Sequence, residues 1–166
     1  MDQEFTQIGY RGATACAAAG ISYRQLDYWA RTGLVAPSIR TASGPGTQRL
    51  YGFRDILVLK IVKRLLDAGV SLQNIRTAVE YLRNRGVTEL ERITLMSDGA
   101  SIYECSSPDE IIDLLQGGQG VFGIAVGKVW HEVEGSLANL QGEIDGRLIS
   151  GEGNDELSER RKRRGA

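Results

Sequence analysis

The sequence predicts a mainly α-helical fold with short β-hairpins, on three observations. Residues 12–32 read as two helices joined at Gly20. Residues 36–52 and 91–107 each place short strand-like runs around a turn. Elsewhere apolar residues recur at helical spacing. Hydrophobic residues make up 42% and charged residues 25% of the chain, the composition of a folded globular protein.

In GATACAAA (12–19) every residue is small, and most are helix-prone; Gly20 ends the run. Ser22 caps a second helix, 23–32, because its hydroxyl can accept an orphan N–H at the helix start. Gly33 closes that helix. Helix, tight turn, helix is the helix-turn-helix layout. In 36–52, SIRTA and TQRLY flank Gly44-Pro45-Gly46 and pair as a hairpin wing. A strong amphipathic helix covers 53–68, with Ile56, Leu57, Leu59, Ile61, Val62, Leu65 and Leu66 at helical spacing and Gly69 as its stop. Ser71 caps the next helix, which carries Leu72, Ile75, Val79 and Leu82 on one face and ends at Gly86.

The second half has a different texture. ERITLMSDGASIYECSS (91–107) reads as two strands around Ser97-Asp98-Gly99. PDEIIDLLQ (108–116) is a short helix with proline in its first turn and acids near its positive end. A glycine-rich link, GGQGVFGIAVG (117–127), follows. Residues 126–140 are helical, and Val126, Trp130, Val133, Leu137 and Leu140 make about two heptads of apolar seam. Residues 141–166 are poor in apolar side chains and are expected to be disordered. The expected organisation is a flexible stretch 1–9, a winged helix-turn-helix domain 10–87, a small α/β dimerisation or effector region 88–140, and a tail 141–166 with a basic end.

A formal net charge of −1 hides a strong asymmetry. Residues 1–87 carry +6, residues 88–159 carry −12, and the closing RRKRRGA carries +5. A basic first half suits a polyanionic partner. The acidic second half does not suit DNA and suits a protein partner. The basic end either adds non-specific phosphate attraction or serves as a solubilising tail. No apolar run approaches the roughly 20 residues of a membrane span. The N-terminus lacks the basic and apolar regions of a signal peptide. A cytoplasmic, nucleoid-associated protein with no membrane partner is therefore expected.

Catalytic chemistry has no visible foothold. No nucleophile–base pair, carboxylate pair or metal set stands out, so the expectation is no enzyme and no cofactor. Two cysteines and one histidine, widely spaced, do not make a metal site. Cys16 reads as a small packing residue. Cys105 is redox-reactive only if exposed in a thiolate-favouring setting. His131 reads as a rim residue of the last helix.

The first residues of the second helix reach furthest into a DNA major groove in a helix-turn-helix. Here they are Ser22, Tyr23, Arg24 and Gln25. Arginine pairs with guanine or holds a phosphate, and glutamine addresses adenine. Tyr28 and Arg31 follow one and two turns on and suit the DNA backbone. Trp29 reads as core; Tyr28 suits core or interface, and Arg31 suits backbone contact or plain solvation. In the wing, Arg40 sits in one candidate strand and Gln48, Arg49 and Tyr51 in the other. Alternation puts Arg49 and Tyr51 on one face.

GISYRQLDYWARTGLV (20–35), QRLYGFRDI (48–56) and KRLLDAGVSLQNIRTAV (63–79), in this order, resemble the MerR family of bacterial transcription regulators. The resemblance covers about residues 10–85. It places Arg24, Tyr28, Arg49 and Tyr51 where family members contact DNA. It implies homodimers on near-palindromic double-stranded promoter DNA, with RNA polymerase as a further partner and distortion of the promoter as a mode of action. Gln48 stands where the family often has tyrosine, and GPG lengthens the wing. Residues 88–140 lack the cysteine cluster of metal-sensing members and their long coiled coil. The whole chain also resembles actinobacterial members linked to growth or cell division.

For residues 88–140 two readings stay open. One is dimerisation through the 126–140 seam and the 93–105 hairpin. The other is a small-molecule pocket using Gly117, Gly118, Gly120 and Gly123, with the effector unknown. A protein-interaction adaptor on the same fold is the alternative to a DNA-binding regulator.

Overall fold

The computed structural model describes residues 8–40, 48–98, 101–116, 122–140, 142–144 and 147–149. They fall into two compact units: Met1–Ile56 with Glu132–Ala166, and Leu57–His131. This division does not coincide with the boundary expected at 87/88. Charge and texture track the surface, whereas compaction follows apolar contacts.

In the first unit, α1 (Gly12–Ala19) packs on α2 (Tyr23–Arg31). The buried side chains of α1 are Ala15, Ala18 and Ala19, and α2 buries Leu26 and Trp29. Small side chains on one helix leave room for a large ring on the other. Gly20 makes the turn at φ 73°, a left-handed conformation that a Cβ disfavours. Its N–H donates to the Cys16 carbonyl at 2.9 Å. Ser22 is the N-cap: its hydroxyl accepts from the Gln25 N–H at 3.1 Å, and the Gln25 carboxamide oxygen accepts from the Ser22 N–H at 3.1 Å. This reciprocal pair is a capping box.

A strand not expected from the sequence, β1 (Tyr10–Arg11), pairs antiparallel with β2 (Leu50–Tyr51), Tyr10 facing Tyr51 and Arg11 facing Leu50. Two residues are too few for alternation to reveal a strand. The expected wing pairing exists as a bridge between Arg40 and Leu50, with the Leu50 N–H donating to Arg40 at 2.8 Å. The expected Gly44-Pro45-Gly46 turn lies outside the described residues. Asp55, in the first turn of α3 (Phe53–Asp67), fixes the base of the wing. One of its carboxylate oxygens accepts from the Ser38 N–H at 2.8 Å, the Ser38 hydroxyl at 2.7 Å and the Gly52 N–H at 2.8 Å.

β6 (Gly142–Ile144) and β7 (Arg147–Ile149) pair antiparallel, which corrects the expectation of disorder from 141 onward for these six positions. Asp145-Gly146 between them is a strong hairpin signal that mean hydropathy overlooks. The rest of the expected tail, with RRKRR, lies outside the described residues, as does most of the expected flexible 1–9 stretch.

Beyond Ile56, α3 buries Leu57, Val58, Leu59, Ile61, Val62 and Leu65, so it is enclosed on more than one side. α4 (Leu72–Arg83) starts at the N-cap Ser71 and buries Ile75, Ala78, Val79 and Leu82. Leu72, expected on that apolar face, is exposed in the first turn. A one-turn helix, α5 (Val87–Leu90), follows. β3 (Thr94–Ser97) and β4 (Ile102–Cys105) form the expected hairpin, with Thr94 facing Cys105 and Ser97 facing Ile102. A third strand, β5 (Phe122–Ala125), pairs with the other edge of β3 and gives the order β4-β3-β5. These four residues fall in the expected glycine-rich link, where Gly123 and its surroundings mask the strand. α6 (Pro108–Gln116) matches the expected helix. α7 (Val126–Leu137) follows β5 directly and ends three residues before the expected 140.

The apolar seam of α7 is covered within the chain. Val126, Val129 and Val133 are fully buried in the single chain, Trp130 and Leu137 nearly so, and Leu140 lies past the helix end and is half-buried. A side chain already removed from water has no apolar surface left for a second chain. The described seam residues are thus buried or half-buried in the single chain.

Candidate nucleic-acid interface

The helix-turn-helix sorts its aromatic side chains sharply. Trp29 is 4% exposed and Leu26 1%, whereas Tyr23 is 65% and Tyr28 54% exposed. Trp29 is core as expected, and the open question over Tyr28 resolves toward the surface. Arg24 and Arg31 are exposed as well. On a helix, positions 24, 28 and 31 form one stripe, with 23 and 27 beside it. This is a phenolic and cationic face.

Ser22 and Gln25 have a different first task. The capping box holds the Ser22 hydroxyl and the Gln25 carboxamide oxygen at the helix start. These two side-chain oxygens are thus engaged at the helix start. Arg40 is exposed, and its Nε donates to the Gln48 carbonyl at 2.9 Å, which braces the wing. Gln48 itself is exposed.

Tyr51 is the clearest departure. Expected on the surface beside Arg49, it is 0% exposed, and its hydroxyl is buried without a hydrogen-bond partner. Burial pushes that hydroxyl up to about 12 from the ordinary 10.0. Tyr51 pairs with Tyr10 of β1 and its side chain lies inside, which strand alternation alone does not show.

Arg49 meets a partner that sequence reading missed. Its Nη1 donates to Asp27 Oδ1 at 2.8 Å, while Arg31 Nε donates to Asp27 Oδ2 at 2.9 Å. One carboxylate on α2 thus joins the helix to the wing strand. The hydrogen bond from Arg49, helped by Arg31, holds the Asp27 carboxyl below the usual aspartate range, and Asp27 in turn raises the Arg49 guanidinium. The i,i+4 spacing of Asp27 and Arg31 is legible in the sequence; the long-range link to Arg49 is not.

An open groove of about 590 Å³ runs here, lined by Arg11 and Gly12 at the start of α1, Tyr23 and Asp27 of α2, and Arg49 and Tyr51 of the wing segment. The N-cap position of α1 is Arg11, and no side chain caps that helix start. A helix N-terminus with cationic and phenolic side chains around it favours an anion such as a phosphate. In the second unit a groove of about 420 Å³ is lined by Arg85, Glu89, Arg92 and Glu104. Its charges pair internally, Arg85 lying 2.7 Å from Glu104 and 3.8 Å from Glu89.

Residues 10–82 match the family described as MerR HTH family regulatory protein. An HTH-type transcriptional regulator of Mycobacterium tuberculosis (strain ATCC 25618 / H37Rv) is 63% identical over 158 residues, which is 95% of this chain and 70% of that protein. This chain belongs to the MerR family. It is a transcriptional regulator of that family. A Mycobacterium bovis HTH-type transcriptional regulator shows the same 63% identity and coverage. The heavy metal-dependent transcription regulator 1 of Rhizobium meliloti (strain 1021) is 34% identical over 74 residues, 45% of this chain and 48% of that protein. The names of the mycobacterial relatives say nothing of growth or cell division.

Cys105 is buried, and burial with nearby Glu110 and Glu104 raises its thiol, so the condition for redox reactivity is not met. Cys16 is half-buried in α1 with its thiol raised by burial, in keeping with packing. His131 is exposed on α7. Gly117, Gly118 and Gly120 of the glycine pocket reading lie outside the described residues, and Gly123 is in β5. Among the described residues, no group of three or more His, Cys, Asp or Glu could hold a metal ion, and no helix is long and apolar enough to cross a membrane.

Proposed function

We propose that this MerR regulator binds near-palindromic promoter DNA as a homodimer, each subunit placing the exposed face of α2 in a major groove. Arg24 reads base edges from the front of that helix. Tyr23, Tyr28 and Arg31 stand beside the sugar-phosphate backbone. The wing, with Arg40, Gln48 and Arg49, lies along the flank, and the groove at the start of α1 takes a backbone phosphate. The single observation that carries the reading is the split of α2: Leu26 and Trp29 inside, and Tyr23, Arg24 and Tyr28 outside beside the arginine-lined groove.

The dimer contact belongs to a surface other than the α7 seam, and RNA polymerase is the further partner of a bound promoter. DNA is favoured over a protein adaptor because the most exposed groups of this face, Tyr23, Arg24, Tyr28 and Arg31, are cations and phenols. The test is fluorescence anisotropy on a promoter fragment against excess random duplex. The parent is expected to prefer the fragment, and Arg24→Ala to lose about 1–3 kcal/mol of that preference, concentrated at one or two base pairs. Equal affinity of the parent for both duplexes would overturn the reading. Two half-sites about 34–36 Å apart, or a multiple, are expected in the footprint of a dimer.

A further inference from the structure

An acid in the middle of a DNA-facing surface needs a reason. Asp27 sits on the exposed side of α2, within the groove that carries Arg11 and Arg49. It repels phosphate, and it occupies two guanidinium groups that would otherwise be offered to DNA. Its side chain is 33% exposed, and those of Arg49 and Arg31 are 24% and 64% exposed. Ion pairs this open to water add little to stability. Folding alone therefore does not account for it.

Geometry does. The two carboxylate oxygens are used separately, Oδ1 by Arg49 of the wing segment and Oδ2 by Arg31 one turn along α2. Arg49 and Asp27 are 22 residues apart, so the contact ties two elements that otherwise meet DNA at different places. The tie joins the wing segment to the helix. It also makes each guanidinium choose between the carboxylate and a phosphate.

We infer that Asp27 is the specificity-setting positioning residue of the interface, a carboxylate latch that orients Arg31 and Arg49 and withholds them from DNA of the wrong shape. On cognate DNA, a correctly placed phosphate outcompetes the carboxylate or joins the guanidinium beside it. On non-cognate DNA the latch stays closed, and affinity is low. Removing the carboxylate strengthens indiscriminate binding and weakens discrimination. This rests on the proposed reading of the α2 face as a DNA reader.

The test uses the full chain, a duplex selected by the parent from a random-sequence pool, and a random duplex. Binding is measured by anisotropy from 50 to 300 mM NaCl, over which the Debye length falls from about 14 Å to about 6 Å. Asp27→Asn is expected to bind the random duplex roughly tenfold more tightly at low salt. The slope of log affinity against log salt is expected to steepen by about 1–2, one step for each released arginine that finds a phosphate. The ratio of specific to random affinity is expected to drop roughly tenfold or more. Asp27→Glu keeps the charge and is expected to recover much of that ratio. In the Asp27→Asn background, Arg49→Ala is expected to remove about half of the extra slope. An unchanged slope and ratio in Asp27→Asn would overturn the latch. So would a parallel fall of both affinities, the outcome of a merely structural role. A parent that selects no sequence from the pool would instead overturn the DNA-reading proposal beneath it.

Discussion

Two residues apart in the wing segment, Arg49 and Tyr51 show how differently neighbouring polar groups are treated. Arg49 is satisfied by Asp27, whereas the Tyr51 hydroxyl is buried and unpartnered. A buried hydroxyl without a partner costs free energy that its ring does not need. Tyr51→Phe is expected to raise unfolding free energy by about 1 kcal/mol in urea titrations at pH 7. The sign of its pH effect follows from linkage. The folded hydroxyl holds its proton to about 12, the unfolded one to 10.0. Between those values only the unfolded state loses the proton, so stability falls as pH rises through that window. The Phe variant should lack this part of the alkaline fall. A Phe variant less stable than the parent would show that the hydroxyl has a partner after all. For Asp27 the direction is opposite: its depressed carboxyl adds stability at neutral pH that is lost only as pH falls through its lowered value. Tyr51 and Asp27 also mark what sequence reading missed at this scale. The alternation rule set Arg49 and Tyr51 on one face; in the structure Tyr51 is buried in β2, while Arg49, one residue before that strand, reaches Asp27.

Helix starts and stops were the most legible elements. Ser22, Ser71 and Gly20 act locally, through hydrogen bonds three or four residues away, so their effect is written in the adjacent sequence. Strands were less legible. β1 and β5 owe their existence to partners about 40 and 30 residues away in the chain. The β5–α7 junction adds a steric condition. The Val126 N–H donates to the Ile93 carbonyl at 3.0 Å, and a Cβ on Gly127 would lie 2.4 Å from the Glu91 carbonyl oxygen. That neighbour is backbone and cannot step aside as a side chain would. Gly127→Ala is therefore expected to destabilise by about 1–3 kcal/mol in thermal or urea unfolding. A neutral result would mean that the helix start does not lie this close to residue 91. Gly135 on the same helix has open space for a Cβ, so Gly135→Ala is the control expected to fold normally.

Over the whole molecule, charge and core follow different maps. Net charge separates a basic first half from an acidic second half, while the compact units join residues before 57 with those after 131. The seam of α7 belongs to the core map. Trp130→Ala is expected to cost about 3–5 kcal/mol of unfolding free energy, independent of protein concentration. A variant that stays fully stable and changes only its sedimentation would return that seam to a dimer interface.

The sequence alone determined the helix-turn-helix, its capped and glycine-closed ends, the β3–β4 hairpin and the MerR likeness, since all of these rest on neighbours in the chain or on local pattern. It also marked out the cationic and phenolic residues of α2. Only the tertiary structure decided that Tyr51 turns inward, that Asp27 grips Arg49, and that the α7 seam is spent inside its own chain. Each depends on pairings across tens of residues, where many arrangements share one local pattern and packing alone selects among them.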